Sequence, residues 1–579
     1  MNDTFRYLLA GVLIFLIILL QPFYLEWLGY DSADKSRQNE PAIEEPFLTE
    51  TKQKNLSAQK ENLNAFGGDS SKESYITIST PLYTATLTNR AGGSFVSYII
   101  NDDNSGELKY IGGYNDSGYF DSTQPVSLIL PSSMDCMPCL SSYNERIGEY
   151  VHFNSPFVLL NSMGSDTLVL DLEEQLNLTY QMVDSEGVVM ITKSVVFYGN
   201  SYISNHDFSI NNEGLDLFGN IEIVWDGGLR PTEERVEEDV EYGSGIISQA
   251  GEIEDIQVGG VENSVEREIY KGQTEWVAIR TKYFISALLV ENPGNYAVLS
   301  AENVSFGNRK QTPLYTAGIG FSYDASFVSS RIYLGPLDVD HVSIVGSGLD
   351  KTMNWGFAII RPISKGVLWI LKFMHQTFNL NYGVVLLIFA VLIRFVSGPL
   401  TKKSFESSQN MQNIQPDLKK VQSKYKGDPQ GLNRETMALY KKHKVNPLGG
   451  CLPIMLQMPL LWALFIVFRT TIEFRGAPFI FWINDLSKPD VVFNLPFSIP
   501  IYGSGVAILP LLMGATLILT MRMTSASMDK SQKPVMYFMN VFFVLLFNTF
   551  PSGLNLYYTA YNILSFLQQR SIRSKSENK

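Results

Sequence analysis

The feature that most constrains this chain is a set of apolar runs that approach the thickness of a bilayer. They dominate residues 1–28 and 380–570, whereas residues 30–350 have the mixed polarity of a soluble fold. Within hydrocarbon every backbone N–H and C=O needs an internal partner, so these runs read as helices. Five core spans are expected at about 380–400, 449–470, 504–523, 534–551 and 553–569, and the N-terminal run makes a sixth. That first run, Tyr7–Leu20, continues through Gln21-Pro22 to Leu28 with no small-x-small cleavage site after it. It reads as an uncleaved signal anchor over 1–28 rather than a removable signal peptide.

Charge orients the spans. The net charge is −13, yet the polar loop 401–446 carries ten Lys/Arg (402, 403, 419, 420, 424, 426, 434, 441, 442, 444) against four acids (406, 417, 428, 435). Short basic loops stay cytoplasmic. The expected order therefore puts the N-terminus, 401–446, 523–533 and the tail inside, and 30–378 and 471–503 outside. Lys530, Lys533 and the tail residues Arg570, Arg573, Lys575 and Lys579 agree with it. The acidic balance of the soluble stretch argues against a nucleic-acid substrate.

Residues 29–73 are rich in Glu, Lys, Ser, Asn and Gln and read as a flexible tether. From about 74 to 350 short alternating stretches such as Tyr75-Ile-Thr-Ile-Ser-Thr and Thr167-Leu-Val-Leu-Asp-Leu are broken by Asp-Gly-Gly and Pro-Gly pairs, the pattern of an all-β sandwich. Chemistry is sparse there. His152, His206 and His341 are isolated, and Glu233-Glu234 and Glu237-Glu238 read as a solvated face. Cys136 and Cys139 lie in a Ser-rich, Pro-containing loop without the strand and helix of a redox motif; a local disulfide is favoured over a zinc site, for which His152 alone adds too few ligands. A non-catalytic domain is favoured over a carbohydrate-active one. Residues 351–378, with Trp355, Phe357, Trp369 and Phe373 among Arg361, Lys365 and Lys372, read as an amphipathic helix in the membrane interface rather than one packed on the β domain.

Arg394 interrupts the run Val384–Val396. A guanidinium in a span costs several kcal/mol unless it snorkels, pairs or faces water. From the segment alone, snorkelling and a functional role stand level. The five core spans contain no Asp or Glu, which disfavours an ion carrier. The last carries Asn555, Thr559 and Asn562 at i, i+4 and i+7, on one helical face flanked by Tyr557, Tyr558 and Tyr561. Polar groups of this kind also serve as interhelical glue. With Arg394 they suggest a hydrated groove able to receive another polypeptide, and the Met residues in and beside the spans suit varied sequences. The loop 401–446 reads as two helices split by Lys426-Gly-Asp-Pro-Gln-Gly431; solvation, binding of anionic headgroups, and docking of a ribosome or nascent chain remain open for it. No Gly-rich loop with Lys-Ser/Thr for phosphate is present, and no cofactor, metal or enzyme activity is expected.

Asn446-Pro-Leu-Gly-Gly-Cys451-Leu-Pro-Ile-Met-Leu-Gln457-Met-Pro459 resembles the signature of the YidC branch of the Oxa-type membrane protein insertases. Asn354-Trp-Gly, Pro399-Leu-Thr401, Met437-Ala-Leu-Tyr-Lys441, Phe550-Pro-Ser-Gly553 and Leu556-Tyr-Tyr558 extend the resemblance. Trp276-Val-Ala-x-Arg-x-Lys-Tyr-Phe284 and Tyr333-Leu-Gly-Pro336 carry it into the β region. It implies a polytopic α-helical inner-membrane protein with a five-helix insertase core over 379–579 and a periplasmic β-supersandwich. It also implies a substrate groove containing Arg394, Gln457, Met458, Tyr557 and Tyr558, to which the polar stripe adds Asn555. The implied partners are nascent membrane proteins, Sec translocon components, the ribosome through the basic hairpin and tail, and anionic lipid. Two positions depart from the family: Ala390 where a hydroxyl is frequent, and Thr549 where tryptophan is frequent. The rival reading from another class is a solute transporter or channel with an accessory periplasmic domain.

Overall fold

The computed structural model describes residues 73–577 apart from 102–109, 131–135, 145–148, 162–165, 185, 212–217, 258–264, 307–309, 426, 444–451, 500 and 525–532. The anchor 1–28, all but the end of the tether 29–73, the loop stretch with Lys530 and the Asn446–Cys451 half of the signature lie outside the described residues. The described chain forms two compact units, 73–353 and 354–577.

The first unit is largely β-sheet. Strands Ser94–Ile100, Tyr83–Thr88, Tyr75–Ser79 and Thr167–Val169 make a four-stranded sheet whose last pair is parallel. The large sheet runs through Cys139–Asn144, Phe218–Trp225, Lys310–Phe321, Phe284–Phe306, Phe327–Pro336, Ile203–Ile210, Val189–Tyr198 and Gln175–Val183, each antiparallel to the next. Period-two alternation sets the buried face: in Gln175–Val183 it is Leu176, Leu178, Tyr180 and Met182 that are covered. The two sheets meet through rings. Phe95 of the small sheet packs on Phe197, His206 and Trp225 of the large one, and Tyr83 lies against Tyr202.

Two readings of this region change. Pro293-Gly294 is not a break: the strand Phe284–Phe306 passes through it. Before the pair its neighbour is Phe327–Pro336, and after it Lys310–Phe321, so the Pro-Gly marks the corner where the strand changes partner. A Cβ on Gly294 would come within 2.3 Å of Ile319, which excludes a larger residue there. The acidic stretch is not simply solvated, because Glu233 and Asp239 are buried around the short helix α1, Val236–Tyr242. Asp239 accepts from the N–H groups of Thr232 and Glu233 at 2.8 and 2.9 Å, and Lys282 pairs with Glu238 at 2.5 Å. Cys136 and Cys139 form a disulfide, as the loop reading favours. His152, isolated in sequence, lies with Nδ1 3.8 and 3.9 Å from the two sulfurs. A second short helix, α2, spans Val339–Val345.

The second unit is helical. Its members are α3 (Arg361–Phe378), α4 (Tyr382–Asn413), α5 (Gln415–Lys424), α6 (Pro429–Lys442), α7 (Leu452–Thr470), α8 (Ile508–Thr524), α9 (Lys533–Phe547) and α10 (Ser552–Glu577). The amphipathic helix begins later than expected, with Pro362 in its first turn, where a missing N–H does no harm. Val367, Leu368 and Leu371 are buried against the unit, while Trp369 and Phe373 are exposed and stacked at 5.6 Å. Lys372 forms an ion pair with Glu473 at 3.1 Å. Helix α4 runs on through Pro399 well past the expected end near 400. The turn between α5 and α6 falls where the sequence places it, with Asp428 accepting from the Gly431 N–H at 3.0 Å.

Helix α10 packs along α8 and α4, and α3 along α7. By length and composition only Tyr382–Pro399 could cross a membrane unaided among the described residues; Gln457–Thr470, Ile508–Met521 and Tyr537–Phe547 are shorter apolar stretches. The span expected from 504 is a strand up to Ala507: Gly503–Ala507 pairs with Val491–Ile499 as a hairpin. The Phe550-Pro-Ser-Gly553 motif seats the start of α10. Ser552 and Gly553 donate their N–H groups to the Lys488 and Leu486 carbonyls, and a Cβ on Gly553 would lie 2.8 Å from Phe468.

One charge inside the β unit gives a pH test. Lys193 is fully buried and donates to the Ala91 and Pro138 carbonyls at 3.1 and 2.8 Å. Burial pulls its ammonium down to about 7. Between pH 7 and 10.5 the unfolded chain keeps a proton that the folded one has shed, so stability rises with pH across that window. The slope expected from this group is about 1.4 kcal/mol per pH unit. Thermal unfolding of the β unit, followed by tryptophan fluorescence from pH 7 to 10, is expected to lose that slope in Lys193→Met.

Candidate functional site

The site is built on α4 and α10. Arg394 lies about 18 Å along α4 from Tyr382, at 1.5 Å per residue. It is 7% exposed. Nη1 donates to the Tyr561 hydroxyl at 3.3 Å, and the guanidinium carbon sits 5.4 Å from the centroid of the same ring. Nε and Nη2 are buried with no hydrogen-bond partner, and no carboxylate pairs with Arg394 among the described residues. A buried charge answered by one neutral hydroxyl and a ring face is under-compensated by several kcal/mol. That deficit makes the site receptive to an anion or to water.

Around it α10 presents a ladder of rings. Tyr557 stacks towards Tyr561 at 6.0 Å, meets Phe389 of α4 at 5.8 Å and stands edge-on to Tyr558 at 5.1 Å. The hydroxyls of Tyr557 and Tyr558 are buried without partners. Gly398 lies opposite Gln568, whose amide nitrogen would be 3.2 Å from an added Cβ, so the two helices remain close beyond Arg394. Ala390, one turn before the arginine, is fully buried and supplies no hydroxyl.

The sequence-expected residues divide into three groups. Arg394, Tyr557 and Tyr558 belong to this cluster. Gln457 and Met458, on α7, are half-buried and exposed, and no hydrogen bond joins Gln457 to Arg394 among the described residues. Asn555 is fully buried, and its amide donates to the Phe547 and Phe550 carbonyls at 3.1 and 3.3 Å, closing the end of α9. Thr559 donates back to the Asn555 carbonyl at 2.8 Å. Part of the polar stripe therefore closes backbone ends. Tyr561 is the residue that touches Arg394, and sequence reasoning placed it only beside the stripe. The signal was available: 557 and 561 are one turn apart and share a face.

Comparison with known proteins places the whole chain. Residues 158–370 match the model of the YidC periplasmic domain, and residues 373–579 that of the 60Kd inner membrane protein. The membrane protein insertase YidC of Chlorobium phaeovibrioides is 32% identical, over 96% of this chain and 94% of its own. The chain belongs to the YidC family of membrane protein insertases. The YidC of Chlorobaculum tepidum is likewise 32% identical, over 97% of this chain and 92% of its own. Among solved structures, an active YidC insertase with its first transmembrane domain resolved aligns over 89% of this chain and 98% of its own, at 15% identity and a TM-score of 0.33. The family is one of inner-membrane proteins whose periplasmic domain is largely β-sheet.

The geometry separates structural from surface positions. Asn555→Leu is expected to lower thermal stability by about 2 kcal/mol, since two buried carbonyls lose their donor. Met458→Ala, at an exposed position, should leave the melting temperature unchanged. Thermal unfolding of both purified variants in one detergent checks the contrast.

Proposed function

We propose that this chain inserts membrane proteins and assists their folding through a groove that opens to the cytoplasm and the inner leaflet. The observation that carries the reading is Arg394, buried with two of its nitrogens unpartnered and no carboxylate paired to it among the described residues. Such a group attracts the acidic N-tail or hairpin loop of a substrate into a space that lipid alone would close. Gln457 and Met458 on one side, and Tyr557 and Tyr558 on the other, offer polar and apolar contacts to the passing segment. Burying the substrate's apolar segment in lipid then drives the step, at roughly 25 cal/mol per Å² of apolar surface. No nucleotide enters the scheme.

In this reading six spans cross the inner membrane, with 1–28 as signal anchor, 29–73 as tether and 74–350 as a periplasmic β-supersandwich. Both termini and the 401–446 hairpin are cytoplasmic. The exposed, stacked Trp369 and Phe373 support an interfacial position for α3. The basic faces of α5, α6 and the tail suit a ribosome or anionic headgroups, and the protein works alone or beside the Sec translocon. The transporter alternative has no acidic relay group in the five core spans to support it.

Purified protein in liposomes is expected to insert a short single-span substrate with an acidic N-tail. Arg394→Ala should slow this by about tenfold or more, the loss of one charged hydrogen-bonding partner. Arg394→Lys should retain more activity than Ala, because a varied substrate needs the charge more than the guanidinium shape. Equal rates for Ala and wild type across acidic-tailed substrates would sink the role.

A further inference from the structure

The outer loop holds a feature that insertion does not use. From Val491 to Met521 no residue is charged, so the uncharged run begins before α8 rather than with it. Its first part is the hairpin Val491–Ile499/Gly503–Ala507. Phe493 and Phe497 are 55% and 59% exposed, and Val492 and Ile501 are exposed beside them. A two-stranded ribbon exposed on both faces is marginal in water by itself. Next to it Phe481 and Trp482 stack at 5.9 Å, and Phe481 is held at φ +61° with its ring 85% exposed. That backbone region is strained for a bulky residue, and among the described residues only the Trp482 ring stacks on Phe481.

The hairpin is fixed to the ends of the helices. Asn548, just past α9, accepts from the Ala507 N–H at 3.1 Å and donates to the Tyr502 and Gly505 carbonyls at 2.8 and 2.6 Å. Asp490 accepts from the N–H groups of Ile508 and Leu509 at 3.1 and 2.8 Å and from the Trp482 indole at 2.9 Å. Burial raises this carboxyl's affinity for its proton. The hairpin therefore cannot leave the end of α8. Within the described residues α8 begins at Ile508 and α9 ends at Phe547, and the hairpin is tied to both of these ends.

We propose that Ile480–Trp482 and the strands Val491–Ile499 and Gly503–Ala507 form an anchor seated in the outer-leaflet interface, with phospholipid as the occupant of their apolar faces. The open ribbon edges keep it out of the hydrocarbon centre, where unpaired backbone groups cost several kcal/mol each. At the headgroup–acyl boundary those edges meet water and headgroups and Trp482 sits where tryptophan concentrates, while Phe493, Phe497 and Phe481 bury apolar surface among the acyl chains. The anchor rests on the membrane-spanning reading of α8 and α9. It deepens that reading by assigning the outer leaflet a fixed contact opposite the inner-leaflet groove.

Full-length protein in nanodiscs of phosphatidylethanolamine and phosphatidylglycerol, with a photo-crosslinking phenylalanine analogue at 493, 497, 512 or 323, tests it. Leu512 lies exposed on α8 and Tyr323 on the β unit. Lipid adducts at 493 and 497 should match those at 512 and exceed those at 323 by about tenfold, the preference expected for burying one phenylalanine. Adducts at 512 with none at 493 and 497, or adducts at 493 and 497 to protein instead of lipid, would overturn the anchor and leave the spans intact. Absence of lipid adducts at 512 would instead remove the membrane-spanning reading and the anchor with it.

Discussion

The helical unit depends on how its polar groups are satisfied where water is scarce. Several of them answer a backbone group at a helix end. Asn548 holds the hairpin, Asn555 closes α9, Ser552 donates to the Asp485 carbonyl at 2.8 Å, and Asp490 caps α8. Each converts an orphan donor or acceptor into a tertiary tie, and together they fix the start of α8, the end of α9 and the start of α10. Arg394 differs. Among the described residues its one side-chain hydrogen bond goes to Tyr561, and Nε and Nη2 have no partner. The unit is thus tied through backbone partners at one end and held by a single hydroxyl around Arg394.

That asymmetry suits a protein that must hold its shape while letting another chain pass. Close packing of α4 on α10, through Ala390, Phe389, Tyr557 and Gly398, holds the guanidinium against the Tyr561 ring. A fully paired arginine would gain stability and lose its attraction for a substrate.

The β unit illustrates where sequence reading stops. Alternation shows that Gln175–Val183 and Val189–Tyr198 are half-buried strands, because period two is a local property. It does not show that Phe284–Phe306 changes neighbours at Pro293-Gly294, since that depends on strands far away in the chain. Nor does it show that Glu233 and Asp239 are buried, because their N–H donors and Lys282 come together only in the fold. Alternation does put Lys193 on the face of Ile191, Val195 and Phe197, but that its ammonium donates to the Ala91 and Pro138 carbonyls is decided only by the fold.

By itself the sequence determined which stretches are apolar, which loops are basic, that Arg394 stands in a run without acidic residues, and the family signature. These are properties of composition and spacing, which need no partner to be read. Only the tertiary structure decided that Tyr561 receives Arg394, that Asn555 and Asn548 serve the backbone, and that the span expected from 504 begins as a strand. The physical reason is the same each time. A polar side chain can answer a backbone end, another side chain or a passing ligand, and which of these lies within hydrogen-bond reach is set by how distant segments pack.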